Sequence, residues 1–187
     1  MKLGKTFYAT NRKVWRAWLK KHHKSESEIW LVYYKLHTGK PRIPYNDAVE
    51  EALCYGWIDS TVKKIDEEKY AQRFTPRRPG SKFSETNKER IRKLIKQRKM
   101  TASGLTAIEH LLGDSVKKPV LIIAPDILKA LKQDKSTWKN FQKFPPSYKR
   151  IRIGWLEASR RHPDFFKRRL KYFLKMTAMN KRFGMVQ

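Results

Sequence analysis

Apolar residues at helical and alternating spacings predict the first elements of the chain. Asn11 is a good cap for a first helix, and its apolar positions, at helical spacing, are Val14, Trp15, Trp18 and Leu19. Residues 29–36 are rich in β-branched and aromatic side chains, which favours a strand. The turn at residues 38–41 ends that strand.

A second helix and a hairpin follow. The apolar stripe of the helix is Ala48, Val49, Ala52 and Leu53. Asp47, Glu50 and Glu51 fall near its predicted start, where the helix dipole favours acidic groups, and Gly56 favours its end. Residues 57–65 and 70–75 predict two antiparallel strands around the acidic turn at 66–68.

Two further helices are predicted before residue 114. Thr86 and Glu89 have the spacing of a capping box, and Ser84 is a competing cap. The buried stripe of this helix is predicted as Ile91, Leu94 and Ile95. One amphipathic helix ending at Gly113 is predicted from the stripe Ala102, Leu105, Ile108, Leu111 and Leu112.

From Pro125 onward the pattern is helical throughout. Pro145 and Pro146 end one helix, and Pro163 opens the last. The pattern therefore predicts an α+β fold, with a small antiparallel sheet and helices in the N-terminal half packed against an all-helical C-terminal half. The predicted domains are residues 1–116 and 117–187. Because the linker candidate at Lys117, Lys118 and Pro119 is short, we expect close packing, or one structural unit.

Composition adds a strong positive charge to this picture. The 187 residues include 44 Lys and Arg against 17 Asp and Glu, a net charge of +27. The 6 Trp, 8 Tyr and 9 Phe exclude a disordered basic tail. Residues 69–100 carry 12 basic and 2 acidic groups, and residues 115–187 carry 19 and 4, whereas the first 68 residues are mildly basic. We therefore expect an anionic partner.

Several classes of protein and site are disfavoured. No apolar run approaches the roughly 20 residues of a membrane span, the start does not resemble a signal peptide, and Cys54 is the single cysteine. We therefore expect a soluble cytoplasmic protein. The five histidines lack partners at metal-ligand spacing, and the glycines are scattered, so no metal or cofactor is expected.

Several anion-binding groups converge between residues 52 and 90. Guanidinium groups, small hydroxyls and the N–H groups of a helix start are what a phosphate or carboxylate needs. The candidate anion-binding residues are Asp59, Arg73, Arg77, Arg78, Ser81, Ser84 and Asn87, and the pocket-lining candidates are Cys54, Trp57 and Thr75. The alternative is a structural network in which Asp59 pairs with these arginines.

Four motifs resemble the YdeI/OmpD-associated (OmdA, bacteriocin-protection) family. They are EALCYGWIDS, RFTPRRPGSKFSETNKERI, the M-T-x-x-G-L pattern at residues 100–105, and WLEASRR. The resemblance implies an uncharacterised protein associated with stress resistance to bacteriocins and cationic peptides, without an assigned reaction. The chain departs from the family pattern at Leu112–Asp114, at Pro163–Phe166 and at Phe83.

The resemblance and the lack of a complete catalytic set favour a non-enzymatic basic binding protein. Cys54 has no histidine near it in sequence, which favours a buried, inert thiol over a nucleophile. Two alternatives stay open: an enzyme or sensor for a small phosphate or carboxylate ligand, and nonspecific nucleic-acid binding by the basic helices. Aromatic residues interleave those helices at spacing that favours burial: Phe141, Phe144, Tyr148, Trp155, Phe165 and Tyr172.

Overall fold

A computed structural model describes residues 3–111 and 119–184. The chain divides into two compact units, the first Met1–Ser81 with Ile91–Gly113 and the second Lys82–Arg90 with Asp114–Gln187. The predicted stop at Gly113, the predicted boundary at 116/117, the linker residues Lys117 and Lys118, and the departure at 112–114 lie outside the described residues.

The first unit contains a four-stranded sheet. Its strands are β1 (Thr6–Tyr8), β2 (Ile29–Tyr34), β3 (Trp57–Lys64) and β4 (Lys69–Pro76), in the order β1-β2-β4-β3. The predicted hairpin is confirmed as β3 and β4, and β4 also pairs antiparallel with β2. The sheet has in addition a parallel edge strand, β1, which is too short at three residues to give an alternating pattern.

Helices α1 (Arg12–His22) and α2 (Tyr45–Cys54) belong to the same unit. Asn11 caps α1 as predicted, because its Oδ1 accepts a hydrogen bond from the backbone N–H of Val14 at 3.1 Å. Trp15 Nε1 donates to the carbonyl of Ala48 at 3.0 Å and joins the two helices. The Trp15 ring also contacts Phe74 of β4, so α1 packs on that face of the sheet.

Asp47 lies in the first turn of α2 as predicted, but Glu50 and Glu51 have a different role. Glu50 and Glu51 are buried in the body of the helix, not at its first turn. Arg12 donates to both carboxylates, and Arg16 donates to Glu51. Partial burial acts to lower the pKa of Arg12, but the hydrogen bonds to Glu51 and Glu50 outweigh it and hold that pKa above its usual value.

The next two helices are α3 (Glu85–Lys96) and α4 (Ala102–Ala107). Residues 85–90 of α3 belong to the second unit and residues 91–96 to the first. Ser84 is the cap of α3, because its Oγ accepts from the N–H of Asn87 at 3.3 Å, so the capping-box interpretation of Thr86 was wrong.

Helix α4 is shorter than predicted and buries a different face. It ends at Ala107, and a single 3₁₀ turn follows at Glu109–Leu111. Leu105 is 39% exposed, whereas Gly104 is buried. A Cβ at Gly104 would lie 2.1 Å from the carbonyl oxygen of Cys54, so the backbones of α4 and α2 meet where only glycine fits.

The second unit contains α5 (Pro125–Lys132), α6 (Lys135–Lys143), α7 (Pro146–Glu157) and α8 (Pro163–Ala178), which confirms the helical C-terminal half. Its core consists of Ile127, Leu131, Phe141, Phe144, Tyr148, Ile153, Leu156 and Phe173. Phe165 and Tyr172, two of the aromatic residues that were predicted to be buried, are exposed. Among the described helices, none has the length and apolar character needed to cross a membrane.

We expect Gly104→Ala to lower the free energy of unfolding by about 1–3 kcal/mol, because the added methyl group overpacks a backbone contact. Urea denaturation followed by circular dichroism measures this. Thr106→Ala, an exposed position on the same helix, is the control and should stay within about 0.5 kcal/mol of the wild type. Equal stabilities of the two variants would contradict the close approach of α4 to α2.

Candidate functional site

A cavity of about 500 Å³ lies in the first unit where the β3–β4 hairpin ends. Its lining is rich in guanidinium and hydroxyl groups and, within the part of the chain that the structure describes, includes no acidic side chain. The lining residues are Ser27, Ile58, Arg73, Thr75, Pro76, Arg77, Arg78 and Ser81. We call this cavity the arginine pocket.

The alternation of side chains along β4 determines which of its residues line the pocket. Arg73 and Thr75 point to one face of the sheet, and Ile58 joins them because it pairs with Thr75 in the register of β3 and β4. Gln72 and Phe74 point to the opposite face and are buried there. The pocket therefore opens on the face of the sheet that does not carry the Trp15–Phe74 contact.

The chain continues from β4 into the rest of the pocket wall. The N–H of Arg77 donates to the carbonyl of Gly56 at 2.9 Å, which holds the chain beside the start of β3. The N–H of Ser81 then donates to the carbonyl of Arg78 at 3.2 Å, in a turn where Gly80 adopts a φ of +71°. Ser81 Oγ is buried and has no hydrogen-bond partner within the described part of the chain.

The three arginines of the pocket differ in their surroundings. Arg73 donates through Nε to Glu28 Oε2 at 2.7 Å, and its Nη2 contacts the same oxygen, so a carboxylate already neutralises it. Half-burial lowers the pKa of Arg77, and the charge of Asp59 opposes that shift. Arg78 is exposed. The pocket thus has three guanidinium groups in its lining, and that of Arg73 is paired with Glu28.

Asp59 does not line the arginine pocket. It pairs with Phe74 in the sheet register and therefore lies on the opposite face from Arg73 and Thr75. Its Oδ2 accepts hydrogen bonds from the hydroxyl of Tyr45 at 2.8 Å and from Gln72 Nε2 at 2.7 Å. The alternative in which Asp59 pairs with the arginines therefore differs from the described contacts, because Asp59 binds two neutral side chains and Arg73 pairs with Glu28.

Cys54 and Trp57 also lie away from the arginine pocket. Trp57 is buried and donates through Nε1 to the carbonyl of His23 at 3.1 Å. Burial raises the pKa of the Cys54 thiol to about 11, and the carboxylate of Glu51 adds to this shift. A thiol that stays protonated at neutral pH is a poor nucleophile.

Ser84 and Asn87 belong to the second unit, at the start of α3. Ser84 caps the helix, and the side-chain oxygen of Asn87 accepts from Arg90 Nη1 at 2.8 Å. Of the ten residues that the sequence singled out, the structure brings five together in the arginine pocket: Arg73, Thr75, Arg77, Arg78 and Ser81.

Sequence reasoning missed Ser27, Ile58 and Pro76 in the wall, and Glu28 as the partner of Arg73. Ser27 and Glu28 come to the pocket because β2 pairs with β4, and Trp30 lies opposite Arg73 in that register. Alternation predicts both strands but not their register, so the sequence held no clear signal for these residues. Residues 3–111 and 119–184 contain no cluster of three His, Cys, Asp or Glu side chains suited to a metal ion.

We expect Cys54 of the native protein to resist alkylation by iodoacetamide between about pH 7 and pH 9, because the reactive thiolate is scarce well below a pKa of about 11. Mass spectrometry of the modified chain measures the rate. The same chain in guanidinium chloride is the control and should react rapidly. Similar rates in the two states would contradict a buried, protonated thiol.

Two family models match different parts of the chain. Residues 7–107, slightly more than half of the sequence, match the family described as "Domain of unknown function (DUF8412)", and this range includes the whole lining of the arginine pocket. Residues 120–180 match "Bacteriocin-protection, YdeI or OmpD-Associated" (OmdA), and this range includes the WLEASRR motif. No curated protein and no solved structure matches the chain significantly. The chain therefore belongs to the DUF8412 family of unknown function and carries in its C-terminal part a domain of the YdeI/OmpD-associated family.

Proposed function

We propose that the first unit is a binding module for a small ligand that carries a phosphate or carboxylate group. The observation that supports this most is the arginine pocket, in which three guanidinium groups and the hydroxyls of Ser27, Thr75 and Ser81 border one cavity. Guanidinium groups hold planar or tetrahedral anions through paired N–H donors. A volume of about 500 Å³ falls within the range of small-molecule sites.

Binding fits the arginine pocket better than catalysis does. Among the described residues, its lining contains no histidine, cysteine or carboxylate that could exchange a proton near neutral pH. The excess of donors over acceptors instead suits the recognition of an oxyanion. A sensor or carrier of such an anion is therefore the role that we propose, in a cytoplasmic setting.

Arg78 provides the first test because it is exposed, so its loss should leave the fold intact. We expect Arg78→Gln to weaken the binding of inorganic phosphate about tenfold, since a hydrogen bond to a charged group is lost. Isothermal titration calorimetry at low ionic strength measures the affinity. Arg161→Gln, which removes an exposed arginine of the second unit, is the matched control.

Two results would overturn the proposal. One is a wild-type protein that takes up no phosphate, citrate or nucleotide in the titration. The other is an equal loss of affinity in Arg78→Gln and Arg161→Gln, which would mean that the affinity for the anion depends only on the net charge of the protein.

Glu28 provides a second test with the opposite sign. We expect Glu28→Gln to tighten phosphate binding about two- to fivefold, because it releases Arg73 from a competing carboxylate that is partly exposed to solvent. Glutamine keeps an acceptor for Trp30 Nε1, which donates to Glu28 at 3.3 Å. Calorimetry with the same ligand measures the change, and unchanged or weaker binding would place the anion away from Arg73.

The match of residues 120–180 favours a second, cellular role in protection against bacteriocins or cationic peptides. We expect deletion of the gene to reduce survival of the host cells under a cationic antimicrobial peptide. Restoring the wild-type gene should restore survival. Survival of the deletion strain equal to that of the parent would rule this role out.

A further inference from the structure

The solvent-facing side of α8 carries exposed apolar and aromatic residues. Phe165 is 56% exposed, Tyr172 46% and Met179, just after the helix, 50%. On the opposite side of the same helix, Phe173 and Thr177 are buried. Single exposed apolar residues are common on protein surfaces. The informative feature of this helix is that its exposed rings alternate with cations along one side, which is an arrangement that suits bases and phosphates.

Cations separate these rings along the helix. Arg168, Lys171 and Lys175 are exposed and lie at helical spacing between Phe165 and Met179. The Arg168 guanidinium lies 4.5 Å from the centre of the Phe165 ring. We call this surface, formed by Phe165, Arg168, Lys171, Tyr172, Lys175 and Met179, the α8 stripe. Asp164 is the single acidic residue of the helix, against five basic ones.

The Tyr172 ring packs against other side chains of the second unit. The Tyr172 ring packs edge-on against Phe183 at 4.8 Å. Phe183 in turn lies 4.6 Å from the guanidinium of Arg152, which is buried. Tyr172 is therefore supported in place while nearly half of it faces solvent. Phe165 and Tyr172 are seven residues apart, which separates them by about 10.5 Å along the helix axis.

We propose that the α8 stripe binds single-stranded nucleic acid, with bases stacked on Phe165 and Tyr172 and phosphates on Arg168, Lys171 and Lys175. Interleaved rings and cations are what a single strand requires, because its bases are unpaired and its backbone is charged. An anionic membrane would instead favour an apolar face separate from a basic one. On α8 the continuous apolar face is occupied by the core of the second unit.

The α8 stripe lies wholly in the second unit, and the arginine pocket wholly in the first. The proposal therefore stands or fails independently of phosphate binding by the pocket. The variants separate the two proposals, since Arg78→Gln should weaken the binding of inorganic phosphate, whereas Phe165→Ala should weaken the binding of the oligonucleotide and leave that of inorganic phosphate unchanged.

The test uses the full chain and a fluorescein-labelled oligothymidine, with affinity measured by fluorescence anisotropy. We expect Phe165→Ala to weaken binding about fivefold or more through the loss of one stacked base, without a change in the salt dependence. Phe165 is the decisive position because it is largely exposed and contacts His162 and Arg168 near the start of its own helix. Tyr172→Ala should act similarly, with its fold checked by circular dichroism because Tyr172 also contacts Phe183.

A charge-matched pair of double variants tests the phosphate contacts. Lys171→Gln/Lys175→Gln should make the slope of log affinity against log salt less negative by about 1.4, as expected for two lost contacts with a single strand. Lys135→Gln/Lys139→Gln removes the same charge from exposed positions of α6 and should change the slope by less than about half as much.

Three results would overturn the proposal. The first is an affinity of Phe165→Ala for the oligonucleotide within about twofold of that of the wild type. The second is an equal change of slope in the two double lysine variants. The third is a protein that binds phosphatidylglycerol vesicles but does not bind the oligonucleotide. A loss with Phe165→Ala together with different slopes for the two pairs would support it.

Discussion

The architecture of the first unit depends on the two-sided character of β4. This strand pairs with β2 on one edge and β3 on the other, so its register fixes what each face of the sheet presents. Phe74 faces α1 and is fully buried, whereas Arg73 and Thr75 face the arginine pocket. A slip by one residue would bury the arginine and expose the phenylalanine. The packing of Phe74 thus positions the arginine pocket.

The carboxylates of the first unit are distributed unevenly, and most of those with described ion pairs lie away from the arginine pocket. Glu50 and Glu51 are committed to Arg12 and Arg16 between α1 and α2, where burial makes their removal costly. Glu28 is the carboxylate that contacts the arginine pocket through a described ion pair. In our proposal, the local arrangement of these groups, more than the net charge of +27, makes the pocket suited to anions.

Sequence patterns predicted the elements well and their mutual placement poorly. The cap at Asn11, the hairpin and the C-terminal helices were predictable because capping and periodicity are local. The exposure of Leu105 could not be predicted, because the close contact of Gly104 with Cys54 decides which face of α4 is buried. Asp59 was grouped with the arginines because it is near them in sequence, but pairing with Phe74 puts it on the other face.

A crystal structure grown from ammonium sulfate would test the central claim most directly. Sulfate has the shape and charge of the phosphate group that we propose as ligand, and the lining of the arginine pocket supplies donors for it. The account predicts a sulfate ion within about 3 Å of donors from Arg77 or Arg78 and from Ser81. A pocket without an ion, while sulfate binds at other basic surfaces, would contradict it.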